Sequence, residues 1–249
     1  MKYALKKRQK FKKICKRAEI YTKHDMLSMN LRKTIMKNFF RSACFCLGIV
    51  SIFISCALIP EHVESPPEES STLAVIERPV KPPVPEYIMG RGQIHPLDMA
   101  AFLLESNPGA NLGFVQQLAI IYAEEAAIEG VNHDIAFAQM CLETGFLAFG
   151  NLVQPEQNNF AGLGAIGPGQ PGLSFEEPRI GVRAHIQHLK AYASDAPLEQ
   201  ELVNPRFRFV RRASAPSIKG LSGTWAADRS YDVKISNILE RLYNFSFTI

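Results

Sequence analysis

The apolar positions of the chain follow two different patterns. From Ser42 to Ile59 the run SACFCLGIVSIFISCALI extends for 18 residues without a charge, close to the shortest length that spans a bilayer. From residue 88 onward, apolar residues instead recur at helical spacing. Residues 112–129, LGFVQQLAIIYAEEAAIE, place Val115, Leu118, Ile121, Tyr122 and Ala126 on one face and Gln116, Gln117, Glu124 and Glu125 elsewhere. That pattern predicts an amphipathic surface helix, ended by Gly130. The next segment, Asn132 to Thr144, opens on Asn132 or His133 as a cap, carries Asp134 in its first turn, runs through IAFAQMCL and stops at Gly145. A helix apolar nearly all round is a buried central one. Helical spacing returns over 178–193 at Val182, Ile186, Leu189 and Ala193, and again after Asp228, a predicted N-cap, through Tyr231, Ile235, Ile238, Leu239 and Leu242. Between them, residues 151–174 hold five glycines and three prolines, the chemistry of a loop or small sheet. The expectation is a mainly α domain with one small β or irregular lobe after the central helix.

Charge redraws the N-terminal third. Residues 1–41 hold 14 Lys or Arg against Glu19 and Asp25, while the rest of the chain holds 14 against 22 acids. The basic charge therefore lies off the folded domain, which argues against a nucleic-acid partner. The basic arm before the apolar run, and Glu61, Glu64, Glu68 and Glu69 after it, predict a cytoplasmic N-terminus and an exported remainder. As written, residues 42–59 read as a single anchor helix. Started at Met36, MKNFFRSACFCLGIVSIFISC looks like a bacterial lipoprotein signal with Cys56 as the lipidated residue. Either way the domain is tethered on the periplasmic or cell-surface side. Seven of the 16 prolines fall within residues 60–86, a semi-rigid spacer whose function is reach. The expected organisation is a basic segment over 1–41, a membrane segment over 42–59, a proline-rich linker over 60–87 and the folded domain over 88–249. Cys141 alone of five cysteines lies in that domain, so no disulfide forms within it. His185 and His188 share a helix face but have no Cys or acid at ligand spacing, so no metal is expected, and no cofactor either.

Glu143 is the residue out of place. A carboxylate at the end of a buried apolar helix is costly unless paired or protonated. Desolvation there raises its pKa toward neutrality, which suits a general acid. The alternative is an outward-pointing or arginine-paired Glu143, with Arg183 or Arg229 as partner. Arg206, Arg208, Arg211 and Arg212, interleaved with Phe207 and Phe209, form the basic cluster of the domain. It reads as a solvated strand or loop with two buried rings, the alternative being a holder of acidic peptide stems or sugar faces.

The segment Ala138-Gln139-Met140-Cys141-Leu142-Glu143-Thr144-Gly145-Phe146 resembles the A-Q-x-x-L-E-[ST]-G-[WF] signature of bacterial endo-β-N-acetylglucosaminidases, glycoside hydrolase family 73. Asn158-Asn159-Phe160-Ala161-Gly162-Leu163 is similar to that family's N-N-x-[FA]-G-[IL] element. Trp225-Ala226-Ala227-Asp228-Arg229-Ser230-Tyr231 is similar to its Y-A-x-D-x-x-Y element, with Trp225 in place of the usual tyrosine. The resemblance implies a lysozyme-like fold, with a helical body, a small β lobe and a sugar-binding groove between them. It implies Glu143 as proton donor and Tyr231 beside it, and puts Asn158, Asn159 and Phe160 on the groove-facing lobe, with Trp225 joining them in substrate binding. The implied substrate is peptidoglycan, cut after N-acetylglucosamine. The second carboxylate usual in glycosidases has no clear place, because Phe160 to Phe175 contains no acid. Glu156, Glu176 and Glu177 flank it and read as solvated; assistance by the substrate's own N-acetyl group would remove the need. The rivals are a lytic transglycosylase and a wall-binding module without turnover.

Overall fold

The structure, a computed structural model, describes residues 81–150, 152–167 and 169–247. The basic arm, the apolar run with Cys56 and residues 60–80 of the proline-rich linker lie outside the described residues. Among those described, no helix is long and apolar enough to cross a membrane.

The first element was not anticipated by periodicity. Helix α1 (Pro96–Ser106) starts where Pro96 fixes φ and His95 Nδ1 accepts the Leu97 N–H at 3.2 Å, and it buries Met99, Ala100, Phe102 and Leu103. Helix α2 (Leu112–Glu129) is capped by Asn111, whose Oδ1 accepts the Phe114 N–H at 2.9 Å, and ends at left-handed Gly130. Val115, Leu118, Ile121, Tyr122 and Ala126 are buried as predicted. Glu125 is not on the polar side as expected. It is buried along with Glu129, because Arg179 and Arg183 reach Glu125 and Lys190 reaches Glu129. Ion pairing thus turns two acids inward, while Leu112, Phe114, Ile120 and Ile128 stay exposed.

Helix α3 (His133–Thr144) is the central one, with nine of its 12 residues buried. Asn132 is its cap, accepting the N–H groups of Asp134 and Ile135 at 3.0 and 3.3 Å. Asp134, fully buried, accepts from the Gln93 and Ile94 N–H groups and from the Tyr243 hydroxyl, so a polar group within the core is satisfied by three donors. Helix α4 (Pro178–Ala193) packs on α2 and touches α3, while α6 (Tyr231–Phe247) packs on α3, on α1 and on the short α5 (Ile218–Leu221). The carbonyl of Ser230, not Asp228, accepts the first α6 bond, from the Lys234 N–H at 3.1 Å. Asp228 instead shapes the preceding turn, its Oδ1 accepting the Ser230 N–H at 2.9 Å.

The lobe after α3 carries an antiparallel pair, β1 (Ala165–Gly167) with β2 (Gln170–Pro171), with Ala165 opposite Pro171 and Gly167 opposite Gln170. It rests on the start of α4 through a close approach at Gly181, where a Cβ would lie 1.8 Å from the Asn158 carbonyl oxygen. A mainly helical body with one two-stranded lobe agrees with the lysozyme-like expectation.

Candidate active site

The last turn of α3 carries Glu143, and the backbone then reverses its hand. Gly145, Phe146 and Leu147 adopt φ of 59°, 58° and 62°, and Phe149 follows at 55°. Each non-glycine residue held there costs about 1–2 kcal/mol. The turn is fixed by the Phe146 N–H donating to the Cys141 carbonyl and the Phe149 N–H to the Thr144 carbonyl, both at 2.8 Å, and by the Phe146 ring lying edge-on to Phe102 at 5.9 Å. The chain leaves the core sharply, so Glu143 ends at the mouth of an open cleft of about 150 Å³ lined also by Phe149, Leu152, Val153, Asn159 and Ala165.

The two oxygens of Glu143 have different surroundings. Oε1 accepts the Trp225 Nε1–H at 3.2 Å and the hydroxyl of Tyr231. Oε2 takes no hydrogen bond from the described residues and faces Gly162, where a Cβ would stand 3.5 Å from it. Burial raises the Glu143 carboxyl above its ordinary pKa, with Tyr231 and then Trp225 drawing it partly back. The arginine partners considered from the sequence are absent: Arg183 is held by Glu125. Burial, then the charge of Glu143, pushes the Tyr231 phenol far up, so it remains a donor.

Behind Tyr231 lies a buried line of polar groups that sequence reasoning missed. Gln139 Nε2 donates to the Tyr231 oxygen, His185 Nε2 meets Gln139 Oε1, and the Tyr122 hydroxyl meets His185 Nδ1, each at 2.9 Å. Periodicity places Tyr122 on a buried face and the family signature includes Gln139, but neither shows what these residues touch, and the sequence offers His185 only as a metal-ligand candidate. Burial, reinforced by His188, lowers His185 to about 3, so its ring is neutral. Burial, then Arg206, lowers His188 to about 4. Among the described residues no group of three or more His, Cys, Asp or Glu could hold a metal ion.

Glu143, Tyr231 and Trp225 are brought into direct contact, whereas Asn158 and Asn159 serve the lobe. Asn159 lines the cleft but spends its amide internally, donating to the Leu163 and Leu173 carbonyls and accepting the Leu163 N–H. Asn158, left-handed at φ 50°, donates to the Phe175 carbonyl at 3.0 Å. Phe160 is 1% exposed and packs in the core beside Phe114. Glu156, Glu176 and Glu177 are exposed, and Glu143 is the one acid among the residues lining the cleft. The expected two buried rings of the basic cluster are not found. Phe209 is 61% exposed between the guanidinium groups of Arg206 and Arg208, and Phe207 is half-buried under Arg212.

An uncharacterized protein of Borreliella burgdorferi is 44% identical over 160 residues, covering 64% of this chain and 78% of that one. No solved structure matches. The family pattern described as mannosyl-glycoprotein endo-beta-N-acetylglucosaminidase, or glucosaminidase, matches residues 119–244, from the middle of α2 to the end of α6 and so across every contact of Glu143. On that match the chain belongs to the glucosaminidase family of glycoside hydrolases.

Proposed function

We propose that the protein hydrolyses the β-1,4 bond after N-acetylglucosamine in peptidoglycan, with Glu143 as general acid. The observation that carries this reading is the asymmetry of the Glu143 carboxyl. With Oε1 taken by two donors, the proton that burial favours sits on Oε2, which faces the cleft. From there it passes to the departing sugar oxygen as the glycosidic bond to C1 breaks. The acid-poor cleft supports closure of the substrate's own acetamido oxygen onto C1, after which water opens that ring and returns a proton to Glu143. Asn159 borders the cleft, and Trp225 serves the reaction through its hydrogen bond to Glu143. The apolar run 42–59, or a lipid on Cys56, would hold the domain outside the membrane, with the proline-rich linker giving it reach to the wall.

The test is digestion of purified peptidoglycan by the full chain and by Glu143→Gln, with products separated by mass after borohydride reduction. The expected result is reduced N-acetylglucosamine ends from the wild type and at least a 100-fold loss in the variant, the lower range of a general-acid contribution being about 10². Anhydro ends would move the protein to the lytic transglycosylases. No release by either protein, with glycan binding retained, would make it a wall-binding module.

A further inference from the structure

We propose that His185 is a positioning residue that acts through Gln139 and Tyr231 to keep the acid proton of Glu143 on Oε2; the inference rests on Glu143 being the proton donor.

The direction of every bond in the buried line follows from its end at Glu143. When Glu143 is ionised, its Oε1 can only accept, so Tyr231 donates its hydroxyl proton there. The Tyr231 oxygen must then accept, and Gln139 presents its NH2 group to it. That orientation turns the Gln139 carbonyl to His185, which meets it with Nε2–H. His185 Nδ1 is left as a lone pair, and Tyr122 donates to it. All four donors thus point toward Glu143.

The opposite polarity can be written from Glu143 as far as His185. A proton on Oε1 would be donated to Tyr231, Tyr231 would donate to a flipped Gln139 carbonyl, and His185 would change tautomer. In that state the acid proton is locked into the core, away from the glycosidic oxygen. Trp225 opposes it at one end, since its N–H already occupies Oε1. His185 opposes it at the other, because the change of tautomer turns its N–H from Gln139 to the Tyr122 oxygen and leaves the proton of the buried Tyr122 hydroxyl without an acceptor. The full burial of Gln139 and His185 removes water as a substitute partner. The titratable neighbours are few: Tyr231 against Glu143, Tyr122 and His188 against His185, and Cys141 beside Tyr122.

The experiment compares wild type, His185→Phe and His185→Gln as full chains. It reads kcat and KM against pH on peptidoglycan, and titrates the Glu143 carboxyl by NMR in protein labelled at the glutamate side-chain carboxyl carbon. In His185→Phe the amide of Gln139 is free to flip, which stabilises the neutral carboxyl with its proton misplaced. The Glu143 titration and the alkaline limb of kcat are expected to move up together by about one pH unit, and kcat to fall about tenfold, the scale of one hydrogen bond to a charged group. KM stays within about twofold, because the glycan does not touch His185. Glutamine at 185 can donate to Gln139 and accept from Tyr122, so His185→Gln restores both readouts. Should His185→Phe fail to fold, Tyr122→Phe removes only the far donor and is expected to move the titration the same way by less. An unmoved Glu143 titration in the folded variants overturns the proposal, as does equal loss in Phe and Gln. Failure of the acid assignment shows separately, as activity surviving Glu143→Gln, while the NMR titration still reads the hydrogen-bond line.

Discussion

Gly162 shows how a single residue shapes the chemistry of another. Its φ of +62° is left-handed, and the space where its Cβ would stand lies 3.5 Å from the acid oxygen that faces the cleft. Gly162→Ala is expected to cost about 1 kcal/mol in backbone strain and to cover Oε2 with a methyl group. Turnover should fall far more than glycan binding, which product release and a pull-down on insoluble wall would separate; unchanged turnover would show that the substrate reaches Glu143 from another side. Glu143 stands out in the sequence as an acid within an apolar helix, its role as proton donor comes from the family resemblance, and the structure places it on the cleft against Trp225 and Tyr231. The contacts joining Gln139, His185 and Tyr122 were not legible, since polar residues satisfied by one another across three helices leave no trace in any one helix's periodicity. Phe146, Leu147 and Phe149 were illegible for a different reason. Bulky residues at positive φ contradict local preference and persist only because hydrogen bonds and ring packing around them outweigh it.

At the level of elements, the lobe is held to the body by contact too close for a side chain. Gly181 in the first turn of α4 leaves room for the Asn158 carbonyl, and a Cβ there would approach that oxygen to 1.8 Å. Gly181→Ala must push the lobe away or unwind the start of α4, a cost of about 1–3 kcal/mol typical of overpacking. The expected readout is a lower Tm with activity lost before the fold, because Asn159 and Ala165 line the cleft from that lobe. Activity at wild-type level with an unchanged Tm would mean that the contact is slack. The four long helices read from spacing are all present, and of the two cap candidates, Asn132 and His133, the structure uses Asn132. Helix α1 escaped because its buried set, Met99, Ala100, Phe102 and Leu103, is clustered within one and a half turns rather than repeated, although Pro96 before it and Asn107-Pro108-Gly109 after it were usable boundary signals. The hairpin was foreseen only as glycine-rich texture, since strands of three and two residues are too short to alternate.

Across the whole molecule, protons stabilise the catalytic state and destabilise the fold. With Glu143 as the proposed acid, the protonated form is the active one, so activity is expected to fall as pH rises through its raised pKa. Three other groups work in the opposite sense. His185 and His188 are neutral in the native state, lowered by burial to about 3 and about 4. The unfolded chain binds protons at both rings near the ordinary value of about 6.5, so stability drops as pH falls below that point. Glu125 adds to the loss at lower pH. Burial alone would raise its pKa, but hydrogen bonds from Arg183, Arg179 and Gln200 outweigh burial and hold it below the ordinary value. Its contribution is complete above the unfolded pKa and disappears as pH falls through the folded one. The two rings together should remove about 4 kcal/mol between pH 7 and pH 5, about 2 kcal/mol each. A glutamine at 188 retains a polar partner for Asn204 without a titrating ring. His188→Gln is therefore expected to halve the slope of stability against pH over that interval, while leaving the alkaline limb of activity in place. Chemical denaturation of the wild type and the variant at pH 7 and pH 5, beside their rate profiles, checks both halves. A flat wild-type stability between those values would mean that water reaches the two rings in the native state and that their burial does not resist protonation.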